Sequence, residues 1–181
     1  MGDHMTETAE LWKMQDGTDV LIRAIRPEDE PFMVKFHQAL SEHSVYLRYF
    51  QMLPLPQRVA PDRLAQNCRT SACDVALVAE RDIGETKEIL AVGRLMKKLS
   101  HNQAEAAVIV RDQSQHQGLG AELLRRLLAI ARDRSIARVV MYILRENIEI
   151  GDMAIRLGFQ VKECDDPILV YCVRDYLPSS L

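Results

Sequence analysis

The sequence lacks any CxxC pair, although it holds four cysteines, Cys68, Cys73, Cys164 and Cys172. No two histidines stand at a metal-ligand spacing. These absences argue against a zinc site, so no metal is expected, and reduced thiols in a cytoplasmic protein are the ordinary reading. No apolar run approaches the ~20 residues that a bilayer span requires, and no apolar leader opens the sequence. No membrane partner is therefore expected. Charge of one sign is never blocked. The net charge is −3 and Lys and Arg are scattered, so no general affinity for nucleic acid is expected. Internal repeats, linkers and low-complexity stretches are also missing. Met1 to Met5 precede a second Met start closely and read as an expression remnant, left out of the fold reading.

What is present suits one domain. Of 181 residues, 48% are hydrophobic, enough for a buried core. Val20–Ile25 reads as a first strand, and Pro27 with Glu28 and Asp29 opens a helix whose apolar stripe is Phe32, Phe36, Ala39 and Leu40. Ser41–Phe50 reads as a second short helix. Pro54, Pro56 and Pro61 mark a loop before a helical turn or two at Asp62–Cys68. Asp74–Glu80 and Glu88–Leu99 read as a hairpin about a polar turn at Arg81–Lys87, followed by a strand at Glu105–Arg111. A helix over 118–133 carries Leu119, Leu123, Leu127 and Ala131 on one face. Arg138–Leu144 is a buried strand. Asn147 caps a helix to about Leu157, which Gly158 ends, and two strands close the chain at Phe159–Cys164 and Ile168–Arg174. This order predicts an α+β, three-layer domain. Its mixed, mostly antiparallel sheet has six or seven strands, with helices on both faces.

Gln115-His116-Gln117-Gly118-Leu119-Gly120 joins an apolar strand to an amphipathic helix. Amides at a helix start have no internal acceptor and carry partial positive charge. Gly118 and Gly120 bring no side chain, so a pyrophosphate can approach this backbone. A P-loop would need Lys-Ser or Lys-Thr after its second glycine, which is missing. A dinucleotide fingerprint would need Gly or Ala at 123, which is Leu.

Gln-x-x-Gly-x-Gly after an apolar strand resembles the acetyl-CoA signature of the GNAT N-acetyltransferase superfamily. The Arg26-Pro27-Glu28-Asp29 start, and Asn147 followed by Leu157-Gly158-Phe159, extend the resemblance over 17–176. Asp16-Gly17-Thr18, Ile22–Asp29 and Ser41–Phe50 are similar to the acetyltransferase domain of bacterial protein-lysine acetyltransferases. The cyclic-nucleotide-binding or acyl-CoA-synthetase-like region that often accompanies that domain has no counterpart here.

The resemblance implies acetyl transfer from acetyl-CoA to a primary amine. A protein lysine is the first expectation for the acceptor, and a small amine is the alternative within the class. A non-catalytic acyl-CoA sensor is the alternative outside it. Amides of Gln115, His116, Gln117, Gly118, Leu119, Gly120 and Ala121 are expected at the pyrophosphate. Backbone of Val108 and Val110 is expected along the pantetheine, with Asn147 reaching it from the far side as well as capping its helix. The Val110 amide is the expected oxyanion donor. Glu105, the lone acid of an apolar strand, is expected to have a raised pKa and to act as general base. Its bland alternative is an ion pair with Arg94 or Lys97. The leaving-thiolate Tyr common in the superfamily is replaced by Ala154. His43 and Ser44 are expected to wall the amine pocket. Tyr46, Tyr49 and Phe50 read as core, His116 as a surface turn residue, His37 and His101 as ordinary polar positions, and Arg125-Arg126 as solvated. A monomer or homodimer is expected.

Overall fold

In a computed structural model, residues 9–98 and 101–176 are described. Met1 to Met5 lie outside them. The described residues form eight strands and six α-helices. They are β1 (Glu10–Lys13), β2 (Asp19–Ala24), α1 (Glu30–Gln38), α2 (Glu42–Tyr49), α3 (Leu55–Arg58), α4 (Pro61–Asn67), β3 (Asp74–Ile83) and β4 (Thr86–Lys98). They continue with β5 (Gln103–Val110), α5 (Leu119–Asp133), β6 (Arg138–Leu144), α6 (Ile148–Arg156), β7 (Gln160–Glu163) and β8 (Leu169–Asp175). The strands make one sheet in the order β1-β2-β3-β4-β5-β6-β8-β7. All pairs are antiparallel except β5–β6.

The sheet has one strand more than the expected maximum, because β1 pairs with β2. The hairpin also runs longer than its sequence suggests. Arg81–Lys87 is mostly paired strand, with Ile83 opposite Thr86 across a tight turn at Gly84. The Pro-rich loop holds the short helix α3. Pro27 opens a 3₁₀ turn rather than α1 itself, and the buried Asp29 carboxylate closes that turn by accepting from the Arg26 amide at 2.8 Å.

Two apolar layers cover the sheet. The larger one packs α5 and α6 on one face through Leu119, Leu123, Leu124, Leu127, Met153 and Ala154. Gly93 of β4 lets α5 come close, since a Cβ there would lie 3.1 Å from Leu127 Cδ1. The smaller layer packs α1, α2 and α4 on the opposite face through Phe36, Val45 and Leu64. Ala154 is fully buried in the first layer. A side chain at that position points into the core.

The parallel pair β5–β6 is short. Its register runs only from Gln103–Arg138 to Glu105–Val140. Beyond it the two strands diverge, while β5 stays paired with β4 as far as Val110.

Candidate active site

That divergence opens a cleft of about 650 Å³ through the sheet. The alternation of a strand's amides decides what β5 offers it. Arg111 donates its amide to Leu90 on the β4 side at 2.8 Å. Odd-numbered residues of β5 therefore bond toward β4. Val108 and Val110 turn their amide groups toward the cleft, past the end of the β6 ladder, whose last bridge, Glu105–Val140, uses the Ala106 amide.

The glycine turn forms one end of the cleft. Gly118 has φ 85° and is the N-cap of α5. The helix's first internal bond comes from Glu122, whose amide donates to Gly118 at 3.0 Å. The amides of Leu119, Gly120 and Ala121 are thus left without intrahelical acceptors. The Leu119 side chain is buried in the core, so only its main chain can serve a ligand. The turn is braced by a segment that the sequence did not announce. Trp12 lies against Gly118, and a Cβ at 118 would be only 3.2 Å from Trp12 Cη2 and 3.6 Å from Trp12 Cζ2. Gln15 donates its amide to Gln117 O at 3.3 Å, and Asp16 donates to Gln117 Oε1 at 2.9 Å. Gln117 therefore turns to this brace and does not line the cleft.

Gln115 lies in the cleft wall, and its side-chain amide donates to Val110 O at 3.1 Å and to Ser44 Oγ at 3.1 Å. His116 has φ 58° and a largely exposed ring, with Nδ1 3.8 Å from Glu149 of α6 across the cleft. Asn147 lines the cleft and accepts from the Ile150 amide at 3.4 Å, so it caps α6.

Glu105 lies on the face that carries α1–α4 and lines the cleft with Ser44, Leu47, Arg48 and Phe50. Its side chain is 28% exposed and its nearest cation is Lys98 Nζ at 3.9 Å. Neither Arg94 nor Lys97 is that partner. Arg94 instead pairs with Asp74 at 3.0 Å.

Ser44 is buried and donates to Asp112 Oδ1 at 2.9 Å. Ser41 caps α2 and gives Asp112 both its amide, at 2.9 Å, and its hydroxyl. Burial alone would raise the Asp112 pKa, but these bonds outweigh it and hold the carboxyl below its usual range. His43 is exposed, one position along the same helix, and does not line the cleft.

Three other expectations change. Phe50, read as core, lines the cleft and ends α2 in a left-handed conformation at φ 61°. Arg126 is half-buried and pairs with Glu122 at 2.7 Å and Glu10 at 3.0 Å, tying β1 to α5. His37 is fully buried, with Nδ1 left without a hydrogen-bond partner. Arg48, which carries no local sequence signal, also stands in the cleft wall with Glu105.

Residues 19–160 match the family model described as "Acetyltransferase (GNAT) domain". The chain belongs to the GNAT acetyltransferase family. Over 162 residues it is 32% identical to a protein named as an acetyltransferase in Pseudomonas aeruginosa, covering 87% of this chain and 81% of that one. The GNAT domain of a Streptomyces lividans protein named PAT has the same fold. Its TM-score is 0.81 at 23% identity, covering 97% of this chain and 99% of that domain. The PaiA N-acetyltransferase of Thermoplasma acidophilum, solved with coenzyme A, matches with a TM-score of 0.68 at 17% identity. That match covers 87% of this chain and 99% of that one. As a GNAT acetyltransferase, this chain shows the expected α+β architecture with the cleft at the β5–β6 divergence. Among its described residues no His, Cys, Asp and Glu group is arranged to hold a metal, and no helix is long and apolar enough to cross a membrane.

Proposed function

We propose that this chain is an acetyl-CoA-dependent N-acetyltransferase whose domain spans 17–176, whose acceptor is a protein lysine, and whose general base is Glu105. One observation supports this most. The divergence of β5 from β6 puts unpaired amides on one side of a cleft and a carboxylate on the other. The cleft also fits the co-substrate: it is floored by cleft-facing amides of β5, and it ends at three helix-start amides beside side-chain-free Gly118 and Gly120.

Acetyl-CoA supplies an acetyl group already activated as a thioester. The protein's residues do the rest. Gly118, Leu119, Gly120 and Ala121 offer amides to the pyrophosphate, with Gln115 and His116 shaping the wall beside them. Gln117 serves by bracing that turn. Val108 and Val110 offer main-chain groups to the pantetheine. The Val110 carbonyl is held by Gln115, and strand alternation turns the Val110 amide toward the cleft as a donor for the thioester oxygen. Asn147 stands on the opposite wall. Glu105 accepts the proton that the acceptor ammonium must lose before it can attack. Ser44 walls the amine side, and His43 stands exposed beside it on α2, off the cleft wall.

Acetyl-CoA turnover, followed with a thiol reagent over lysine peptides and small amines, tests this. Glu105→Gln should lower kcat/KM by about a hundredfold or more while coenzyme affinity by calorimetry persists. An undiminished Glu105→Gln rate overturns the assignment. The sensor reading rests on the resemblance alone, which matches Ala154 to the family's usual Tyr; in this fold position 154 faces the core and does not line the cleft. It predicts coenzyme binding without turnover on any acceptor.

A further inference from the structure

Arg48 stands out by what it does not touch. It lies on the last turn of α2 and lines the cleft with Glu105. Among the described residues, no carboxylate lies within ion-pair distance of its guanidinium, and no acceptor takes any of its N–H groups. Its contact is the Tyr49 ring, 5.2 Å from its Cζ. Arg63 of α4 stands over the same ring at 5.5 Å, and its buried Nε also lacks a partner.

Other arginines that lie partly out of water are paired with acids. Arg23 binds Asp29 and Glu80, Arg111 binds Glu88, Arg126 binds Glu122 and Glu10, and Arg138 binds Asp175. Arg94, the neighbour of Arg48 across the sheet face, binds Asp74 and Asn67. A chain with net charge −3 does not run short of acids. An unpaired cation set partly out of water costs free energy, so its persistence in a ligand cleft needs a cause. Burial works against the Arg48 charge and the nearby Glu105 carboxylate works for it. A guanidinium keeps its proton under such pressure, and its planar fork matches a carboxylate.

The coenzyme does not answer this need. Its expected phosphate cradle, Gly118–Ala121, opens α5 on the opposite face of the sheet from α2. Arg48 and Glu105 share the acceptor face. We propose that the acceptor amine carries a carboxylate and that Arg48 pairs with it while Glu105 serves the amine. This rests on the acetyl-transfer reading above. The carboxylate can come from an acidic residue beside a target lysine or from the acceptor's own α-carboxyl group, and the chemistry Arg48 reads is the same.

The test compares matched acceptors at saturating acetyl-CoA. One pair is a lysine peptide with Glu or Gln beside the lysine. The other is a free amino acid and its carboxamide. Wild type should favour the charged member of at least one pair by about tenfold or more in kcat/KM, and the favoured pair names the source. Arg48→Met should erase the preference mainly through KM, Arg48→Lys should keep part of it, and Arg48→Glu should favour a peptide with Arg beside the lysine. Melting temperature and coenzyme affinity of each variant report whether fold and cradle survive. Equal rates on both members of both pairs, or a preference that survives Arg48→Met, overturn the role of Arg48 while leaving acetyl transfer intact. Wild type that turns over no acceptor overturns the transfer reaction itself, and this inference with it.

Discussion

The two sides of the cleft are made of different material. The α5 side offers main chain: helix-start amides, two glycines and the unpaired edge of β5. The α1–α4 side offers side chains: Glu105, Ser44, Arg48 and Phe50. A main-chain site is held by backbone conformation and is indifferent to most substitutions around it. A side-chain site is held by which face of a short helix meets the sheet. The first kind suits a ligand common to a whole family, the second an acceptor that differs from member to member.

The sharpest way to break this comparison is to give the cradle a side chain. Gly118 needs its positive φ and sits against Trp12, so Gly118→Val meets strain and crowding together. We expect a loss of roughly 3 kcal/mol in urea unfolding and a coenzyme affinity at least about tenfold weaker. Gly120 is the control. A Cβ there meets Val110 and Met153 at 3.6 and 3.7 Å, ordinary contact distances. Gly120→Ala should leave stability unchanged or raise it by up to about 1 kcal/mol. If Gly120→Ala harms folding as much as Gly118→Val, backbone conformation is not what the motif protects.

The acceptor side should instead show itself through titration. Burial pulls the His37 pKa from 6.5 down to about 4, and the Arg58 and Arg63 charges pull the same way. The unfolded chain takes up this proton below pH 6.5 and the folded chain only near 4. Stability is therefore complete above pH 6.5 and falls as pH drops from 6.5 toward 4. Between pH 7 and 5 the loss should be on the order of 2 kcal/mol in urea unfolding. His37→Gln should flatten that slope. A slope that survives in His37→Gln places the titrating group elsewhere. The carboxylates held below their usual range, Asp29, Glu80, Glu88 and Glu122, act only at lower pH.

What could be read in advance follows the same division. β6 matches its apolar run residue for residue, and α5 starts one residue past the glycine that signals it, because periodicity and capping are local properties. Asn147 caps α6 for the same reason. β1 was missed because four residues carry almost no period. What holds it is a partner strand, plus the contact of Trp12 with Gly118 about a hundred positions away. On α2, His43 and Arg48 differ in chemistry but not in any local signal that says which one faces the cleft. That depends on where the helix lands on β5. The same limit hid Arg126, whose partner Glu10 belongs to the missed strand, and His37, which is buried with Arg58 of α3 and Arg63 of α4 nearby.

Asp112 joins the two materials, and its substitution is the mildest test. It accepts from the Ser41 amide and from the Ser41 and Ser44 hydroxyls, and Ser44 in turn accepts from Gln115, which holds Val110. The chain of bonds runs from the start of α2 to the end of β5. Asp112→Asn keeps the shape, removes the charge and gives up the strength of charged acceptors. We expect about 1 kcal/mol lost in urea unfolding at pH 7. Because the Asp112 carboxyl is held below its usual range, wild type keeps this contribution above the ordinary carboxylate pKa and loses it as pH falls further. The kinetic signature separates a joint from mere support. If α2 is positioned through Asp112, the acceptor KM should rise several-fold while coenzyme affinity stays put, since the cradle amides belong to α5. A loss of coenzyme affinity equal to the rise in acceptor KM would show that the two sides move as one body and that the contrast between them is only chemical.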